Sequence, residues 1–268
     1  MSRVESPSSI NTYKQCPRRY FYRYIEKLPS KPSIYLIRGK IVHSVLEDFF
    51  DIDESITTVD DLRVRLFWLL EKKWVENREE LKSLELGDTK LNEYYEETKR
   101  TMQNWFSRFK EKMAMQTQKN KSFLEAFKHL TPIREKEFKS NNHQVRGFID
   151  VIYEMDDSVV ILDYKTGKKT DISPEYRLQL GVYALMYEET TGRKPDFVGI
   201  DFLNHTERVL AVDQKIVDEA KRDIEYVHSK TISTNIKDYS QKPSPLCKWS
   251  TGQCDYYEQC FGKDLNKD

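Results

Sequence analysis

Gly147-Phe148-Ile149-Asp150 and, thirteen residues after that aspartate, Asp163-Tyr164-Lys165-Thr166-Gly167 form the stretch on which the fold turns. Val159-Val160-Ile161-Leu162 leads into Asp163 as an apolar run suited to a central strand. A carboxylate and a lysine directly after such a run are difficult to justify as packing, because unpaired buried charge is expensive. Side chains alternate along a strand, so Lys165 should share a face with Asp163. Adjacent strands can bring Asp150 and Asp163 within reach of one divalent ion, and carboxylate oxygens suit Mg²⁺ or Mn²⁺. Lys165 would then orient an attacking water and stabilise charge on a phosphate. Taken alone, Asp-x-Lys also describes an ordinary ion pair at a strand edge.

Outward from this centre, residues 133–140, 145–154 and 159–164 read as three strands, with turns at 141–144 and 155–158. A helix is expected from 174 to about 189, closed by Gly192, then strands over 197–203 and 208–212 and a final helix over 213–230. Strands flanked by helices in this order predict an α/β fold with a mixed central sheet. Upstream, residues 1–52 hold a helix that stops at Pro17. A second helix starts near Tyr35, with Ile41, Val45, Leu46 and Phe49 at helical spacing. Residues 53–130 read as long amphipathic helices, one marked by Leu62, Leu66, Leu69 and Leu70, another by Tyr94, Tyr95, Met102, Trp105, Phe106 and Phe109. They carry no chemical motif and read as a helical insertion. The expected division is therefore 1–52, the insertion 53–130, a core at 131–240 and a cysteine-rich segment at 241–268.

The 268 residues suffice for a substantial core. Basic and acidic residues balance at 44 each, so nucleic-acid binding would have to come from local patches rather than a net field. Abundant aromatics exclude a disordered chain. No run approaches the roughly 20 apolar residues of a membrane span, and the first residues lack a hydrophobic signal core, which predicts a cytoplasmic protein. In a reducing compartment, metal binding explains four cysteines better than disulfides do.

Three further motifs complete the pattern: Cys16-Pro17-Arg18-Arg19-Tyr20, Gly39-Lys40-Ile41-Val42-His43-Ser44-Val45-Leu46-Glu47, and Gln179-Leu180-Gly181-Val182-Tyr183. In this order the set resembles the PD-(D/E)XK nuclease superfamily, specifically the RecB-like exonucleases that carry an iron–sulfur cluster. These include AddB-type nuclease domains and the CRISPR-associated nucleases of spacer acquisition. The resemblance implies a restriction-endonuclease-like core and metal-dependent DNA hydrolysis, with exonuclease action on single-stranded DNA favoured. It implies that His43, Asp150, Asp163 and the backbone carbonyl of Tyr164 hold Mg²⁺ or Mn²⁺, with Lys165 as the catalytic cation. Glu47, one turn beyond His43, would support that site; Gln179 and Tyr183, one turn apart, would position Lys165 or the DNA backbone.

Cys16, with Cys247, Cys254 and Cys260, would hold a 4Fe–4S cluster clasping the two ends of the chain. The tail departs from the family in having six residues between Cys247 and Cys254, where two are usual, and this leaves zinc as an alternative. Arg18 and Arg19, interleaved with Tyr20, Phe21, Tyr22 and Tyr24, have the mixture that binds single-stranded DNA; a basic helix with an aromatic core face fits equally. The chain has no helicase motif, so a helicase, CRISPR or repair partner would supply any unwinding. The competing reading is a catalytically silent DNA-binding or scaffolding subunit of such an assembly.

Overall fold

Ser6 and Ser9 exchange side-chain hydrogen bonds with each other's backbone N–H, and Pro7 presets the first turn, so the chain opens as helix α1 (Pro7–Gln15). The computed structural model describes residues 3–155, 157–250 and 252–262. After α1 come α2 (Pro17–Tyr20) and a π-helical turn (Phe21–Ile25), then α3 (Ile34–Phe49). The region expected as a helical insertion folds as α4 (Val59–Glu76), α5 (Arg78–Lys82), α6 (Asp88–Thr117) and α7 (Phe123–Leu130). Capping boxes at Thr58/Asp61 and Ser122/Glu125 start α4 and α7.

The hairpin of β1 (Ile133–Ser140) and β2 (Val145–Met155) leads to β3 (Ser158–Lys165). Helix α8 (Pro174–Thr191) starts at Ser173 and stops at Gly192, which takes the left-handed backbone (φ 71°) that glycine tolerates. It is the crossover that lets β4 (Phe197–Phe202) lie parallel to β3. Next follow β5 (Glu207–Ala211) and α9 (Gln214–Lys230), the latter capped by Asp213. A short hairpin, β6 (Lys248–Trp249) with β7 (Gly252–Gln253), and α10 (Tyr257–Phe261) complete the described chain. The sheet order is β1-β2-β3-β4-β5, antiparallel except for β3–β4. This is the mixed sheet flanked by helices that the sequence predicts. The expected turn at 155–158 is tighter than foreseen, because β2 and β3 extend into it; Asp156 lies outside the described residues.

Two apolar layers cover the sheet. On one face α1, α8 and α9 pack on Phe138, Ile149, Ile152, Ile161, Val198 and Ile200. On the other, α3 and the insertion helices share one core with Val151, Leu162 and Tyr164. The insertion is thus packed as part of the α/β body. Gly181 lets α8 approach α9: a Cβ there would meet the backbone oxygen of Ile216 at 2.7 Å.

Side-chain alternation in β2 reverses at Asp150. Val145 and Ile149 face the α8 layer, but beyond the aspartate it is Ile152 that does so, while Val151 faces α3. The β1–β2 ladder skips the pair opposite Asp150, and its partner, Glu135, has a left-handed backbone (φ 44°). Such ladder breaks re-aim side chains.

Candidate metal centre and active site

The break in β2 and the middle of α3 meet at one point. His43 Nδ1 lies 3.4 Å from Asp150 Oδ2 and 3.6 Å from Glu135 Oε1. Its Nε2 lies 3.2 Å from the carbonyl oxygen of Tyr164. His43, Glu135 and Asp150 each offer a ligand atom, and these atoms all lie within 4.8 Å of one another. Asp150 Oδ2 also accepts the Tyr164 N–H at 2.8 Å, which ties β2 to β3 at the site.

Asp163, 2 % exposed, faces the α8 layer. Its Oδ1 accepts hydrogen bonds from Gln179 Nε2 at 2.8 Å and from the Tyr183 hydroxyl at 3.3 Å. Gln179 Nε2 also donates to that hydroxyl at 2.7 Å, so one turn of α8 grips the carboxylate from two positions. Oδ2 pairs with the Lys165 ammonium, its one partner among the described residues. Lys165 Nζ also stands 5.4 Å from the ring centre of Tyr176.

The electrostatics follow from this crowding. Burial pushes the Asp163 carboxyl up to about 6; Lys165 opposes the shift and Asp150 adds to it. Burial disfavours charging His43, but hydrogen bonds to Asp150 and Glu135 and the charges of Asp150 and Asp163 outweigh it, raising the imidazole to about 10. Burial likewise works against the Lys165 ammonium, and Asp163 reverses the balance. An excess of negative charge therefore collects where a cation would sit.

Of the residues expected at the metal, His43, Asp150 and the Tyr164 carbonyl converge directly. Asp163 adjoins them, but it is held by α8 and Lys165 and is outside the tight ligand group. Gln179 and Tyr183 grip Asp163 rather than Lys165. Glu47 stands exposed on the rim of the groove that contains His43 and Lys165. Glu135 was missed because Arg134-Glu135-Lys136-Glu137 looks like a solvated edge. Hairpin register carries the signal that finds it: with Ser140 opposite Val145, five residues back from one end of the turn and five forward from the other place Glu135 across from Asp150.

Arg18 and Arg19 lie elsewhere. Arg18 Nε donates to the Tyr239 carbonyl at 2.7 Å, and Arg19 lines the cavity of the cysteines. Tyr20, Phe21 and Tyr22 are buried in the core and Tyr24 is half-buried.

Cys16, Cys247, Cys254 and Cys260 line one small cavity together with Arg19 and Lys242. Among the described residues no three of the sulfurs come within 4.8 Å of one another, so they form no tight cluster. Burial raises the thiol of Cys260 to about 11, and the neighbouring thiols add to the shift. Around them the chain ends are joined by hydrogen bonds from Tyr22 to the Gln259 carbonyl at 3.0 Å and from Tyr256 to the Leu28 carbonyl at 3.1 Å.

A mixed sheet that delivers two aspartates and a lysine to a helix-borne histidine defines a nuclease of the metal-dependent type. A family model of the PD-(D/E)XK nuclease superfamily matches residues 5–261, and the chain belongs to that superfamily. It is 37% identical over 78 residues to an ATP-dependent helicase/nuclease subunit from Thermoanaerobacter sp. (strain X514), a match covering 27% of this chain and 6% of that protein. It is 34% identical over 61 residues to the protein of the same name from Clostridium novyi (strain NT), covering 21% of this chain and 5% of that one. The chain thus spans only a small part of these relatives. The crystal structure of a candidate exonuclease from Eubacterium rectale superposes with a TM-score of 0.50 at 14% identity, covering 92% of this chain and 86% of that one, a likeness of fold. Among the described residues no helix is long and apolar enough to cross a membrane.

Proposed function

We propose that the chain is a divalent-metal-dependent exonuclease of single-stranded DNA, working beside a helicase or another DNA-processing partner. The observation that carries this reading is the convergence of His43, Glu135 and Asp150 beside the Asp163–Lys165 pair, on the wall of an open groove of about 640 Å³. The donor set of one imidazole with several carboxylates and a carbonyl suits Mn²⁺ or Mg²⁺. His43, Asp150, Glu135, Asp163 and the Tyr164 carbonyl would hold the ion. A bound divalent ion supplies a water of lowered pKa and neutralises charge on the phosphate. Lys165 contributes the fixed cation beside the reacting phosphoryl oxygens, and Gln179 and Tyr183 hold Asp163 in the orientation that serves it. With no base-reading motif, recognition rests on phosphates and base faces.

The test uses purified protein, Mn²⁺ or Mg²⁺, and end-labelled single-stranded and duplex DNA. Divalent-dependent release of short products from single-stranded ends is expected, with a loss of at least about 10²-fold in kcat/KM on Asp163→Asn or Lys165→Ala. Protein that cleaves nothing under these conditions, or equally well after Asp163→Asn, overturns the assignment.

We also infer that the four cysteines hold a 4Fe–4S cluster. Supporting this is their shared cavity with two flanking cations, which offset thiolate charge. A zinc tetrahedron with bonds of about 2.3 Å would draw the sulfurs to about 4 Å apart, whereas among the described residues no three of them lie within 4.8 Å of one another. Iron and sulfide in anaerobically purified brown protein are expected; stoichiometric zinc in colourless protein refutes the cluster.

A further inference from the structure

The first turn of α3 exposes a large apolar pair, Tyr35 at 68 % and Leu36 at 64 %. Both line the groove that contains His43, Glu47 and Lys165. Exposed aromatic surface at the mouth of a functional groove marks a binding site more often than a packing fault. Tyr35, Gly39, His43 and Glu47 succeed one another at four-residue steps, so they form one row along α3. The eight residues from Tyr35 to His43 span about 12 Å of helix, roughly the length of three or four stacked nucleotides at about 3.4 Å each. Midway, Gly39 has nothing within 4 Å of where a Cβ would stand, so the floor is clear.

The Tyr35 ring is held from the side. Tyr94 meets it edge-on, with centroids 6.2 Å apart and planes at 81°, a contact that fixes the ring while leaving a face available. Tyr94 in turn carries Arg38 at 5.2 Å and Lys90 at 5.3 Å. Arg38, Lys40 and Lys90 pair with Glu97, Glu80 and Glu93 respectively. The Lys40 and Lys90 pairs lie on the surface, where such pairs are worth little and can yield to a phosphate, whereas Arg38 is largely buried and also donates to Thr98 Oγ1. An aromatic face with cations beside it is the arrangement that binds single-stranded nucleic acid without reading its sequence.

We propose that Tyr35 is the base-stacking platform that holds a single-stranded DNA in register with the metal site, with Leu36 covering the base edge. This rests on the nuclease reading and adds the position at which the strand is gripped. The experiment measures binding of a labelled single strand of about 12 nucleotides in EDTA by fluorescence anisotropy, and KM and kcat in Mn²⁺, for wild type, Tyr35→Ala, Tyr35→Phe and Tyr35→Trp. Stacking on one aromatic is worth about 1–3 kcal/mol per base. Tyr35→Ala should therefore weaken binding and raise KM by roughly 5- to 160-fold with kcat changed far less, while Phe and Trp restore affinity. The loss should shrink on a dinucleotide, which is too short to reach from the metal to the ring. Affinity within twofold of wild type in Tyr35→Ala, failure of Phe to restore it, an equal loss on the dinucleotide, or no strand binding by the wild type each overturns the proposal. Strand binding that depends on Tyr35 without any cleavage would overturn the catalytic reading alone.

Discussion

A buried carboxylate remains useful only if something meets each of its oxygens. For Asp163 the partners are unequal: Gln179 and Tyr183 hold one oxygen, and only Lys165 faces the other. Tyr183→Phe and Gln179→Ala should leave the fold intact and lower kcat/KM by about 10- to 100-fold, measured with single-stranded substrate at saturating Mn²⁺. Glu135 gives a second residue-scale prediction. Its left-handed backbone costs about 1–3 kcal/mol in a non-glycine residue. Glu135→Gly should therefore melt no lower than wild type, while the Mn²⁺ concentration for half-maximal activity rises by about tenfold or more. A thermal scan beside a metal titration checks both arms; a large fall in Tm with metal dependence unaltered would make Glu135 a structural residue. Asp163 and Lys165 were legible because packing alone does not account for charge at the end of an apolar strand, and Asp150 through the Gly147–Asp150 motif that precedes them. Glu135 was not, because its neighbours alternate in charge and only pairing with another strand gives it meaning.

At the scale of elements, periodicity located most helices and strands, since burial on one face leaves a mark in the residue order. The caps at Ser6, Ser173 and Asp213 fixed where helices begin. Less was legible where packing between elements decides the outcome. The reversal of faces in β2 arises from β1 and β2 jointly, and the burial of Tyr20, Phe21 and Tyr22 depends on the tail that covers them. Gly181 belongs to this scale too. Its motif neighbours Gln179 and Tyr183 suggest chemistry, whereas the glycine serves helix contact. Gly181→Ala drives a methyl onto the Ile216 carbonyl and should destabilise the protein by about 1–3 kcal/mol, read as a lower urea midpoint with an unaltered slope.

Across the whole molecule, the insertion and the sheet are joined by a buried ion pair between Arg108 on α6 and Asp201 on β4. Burial pushes the Asp201 carboxyl up to about 6, with Arg108 opposing and Glu207 adding. The folded state therefore holds this proton more tightly than the unfolded chain does. Its contribution to stability is complete below about pH 4 and is lost as pH rises toward 6. Asp201→Asn should accordingly flatten the rise in Tm between pH 6 and pH 4 in metal-free protein; an unaltered profile would assign that rise to other groups. The histidine and aspartates that α3 and the strands bring together were readable from motifs, but this joint was not, because Arg108 and Asp201 stand far apart in the chain without a pattern linking them.

The shared core of α3 and the insertion has one further consequence. Ile41, Val45 and Phe49 rest on Leu66, Trp105 and Phe109 in that layer, so the imidazole keeps its bearing on the acids only while the inserted helices stay in place. Residues 53–130 are thus a buttress rather than an ornament: trimming them to a short loop would leave the backbone connected but deprive His43 of the wall it leans on.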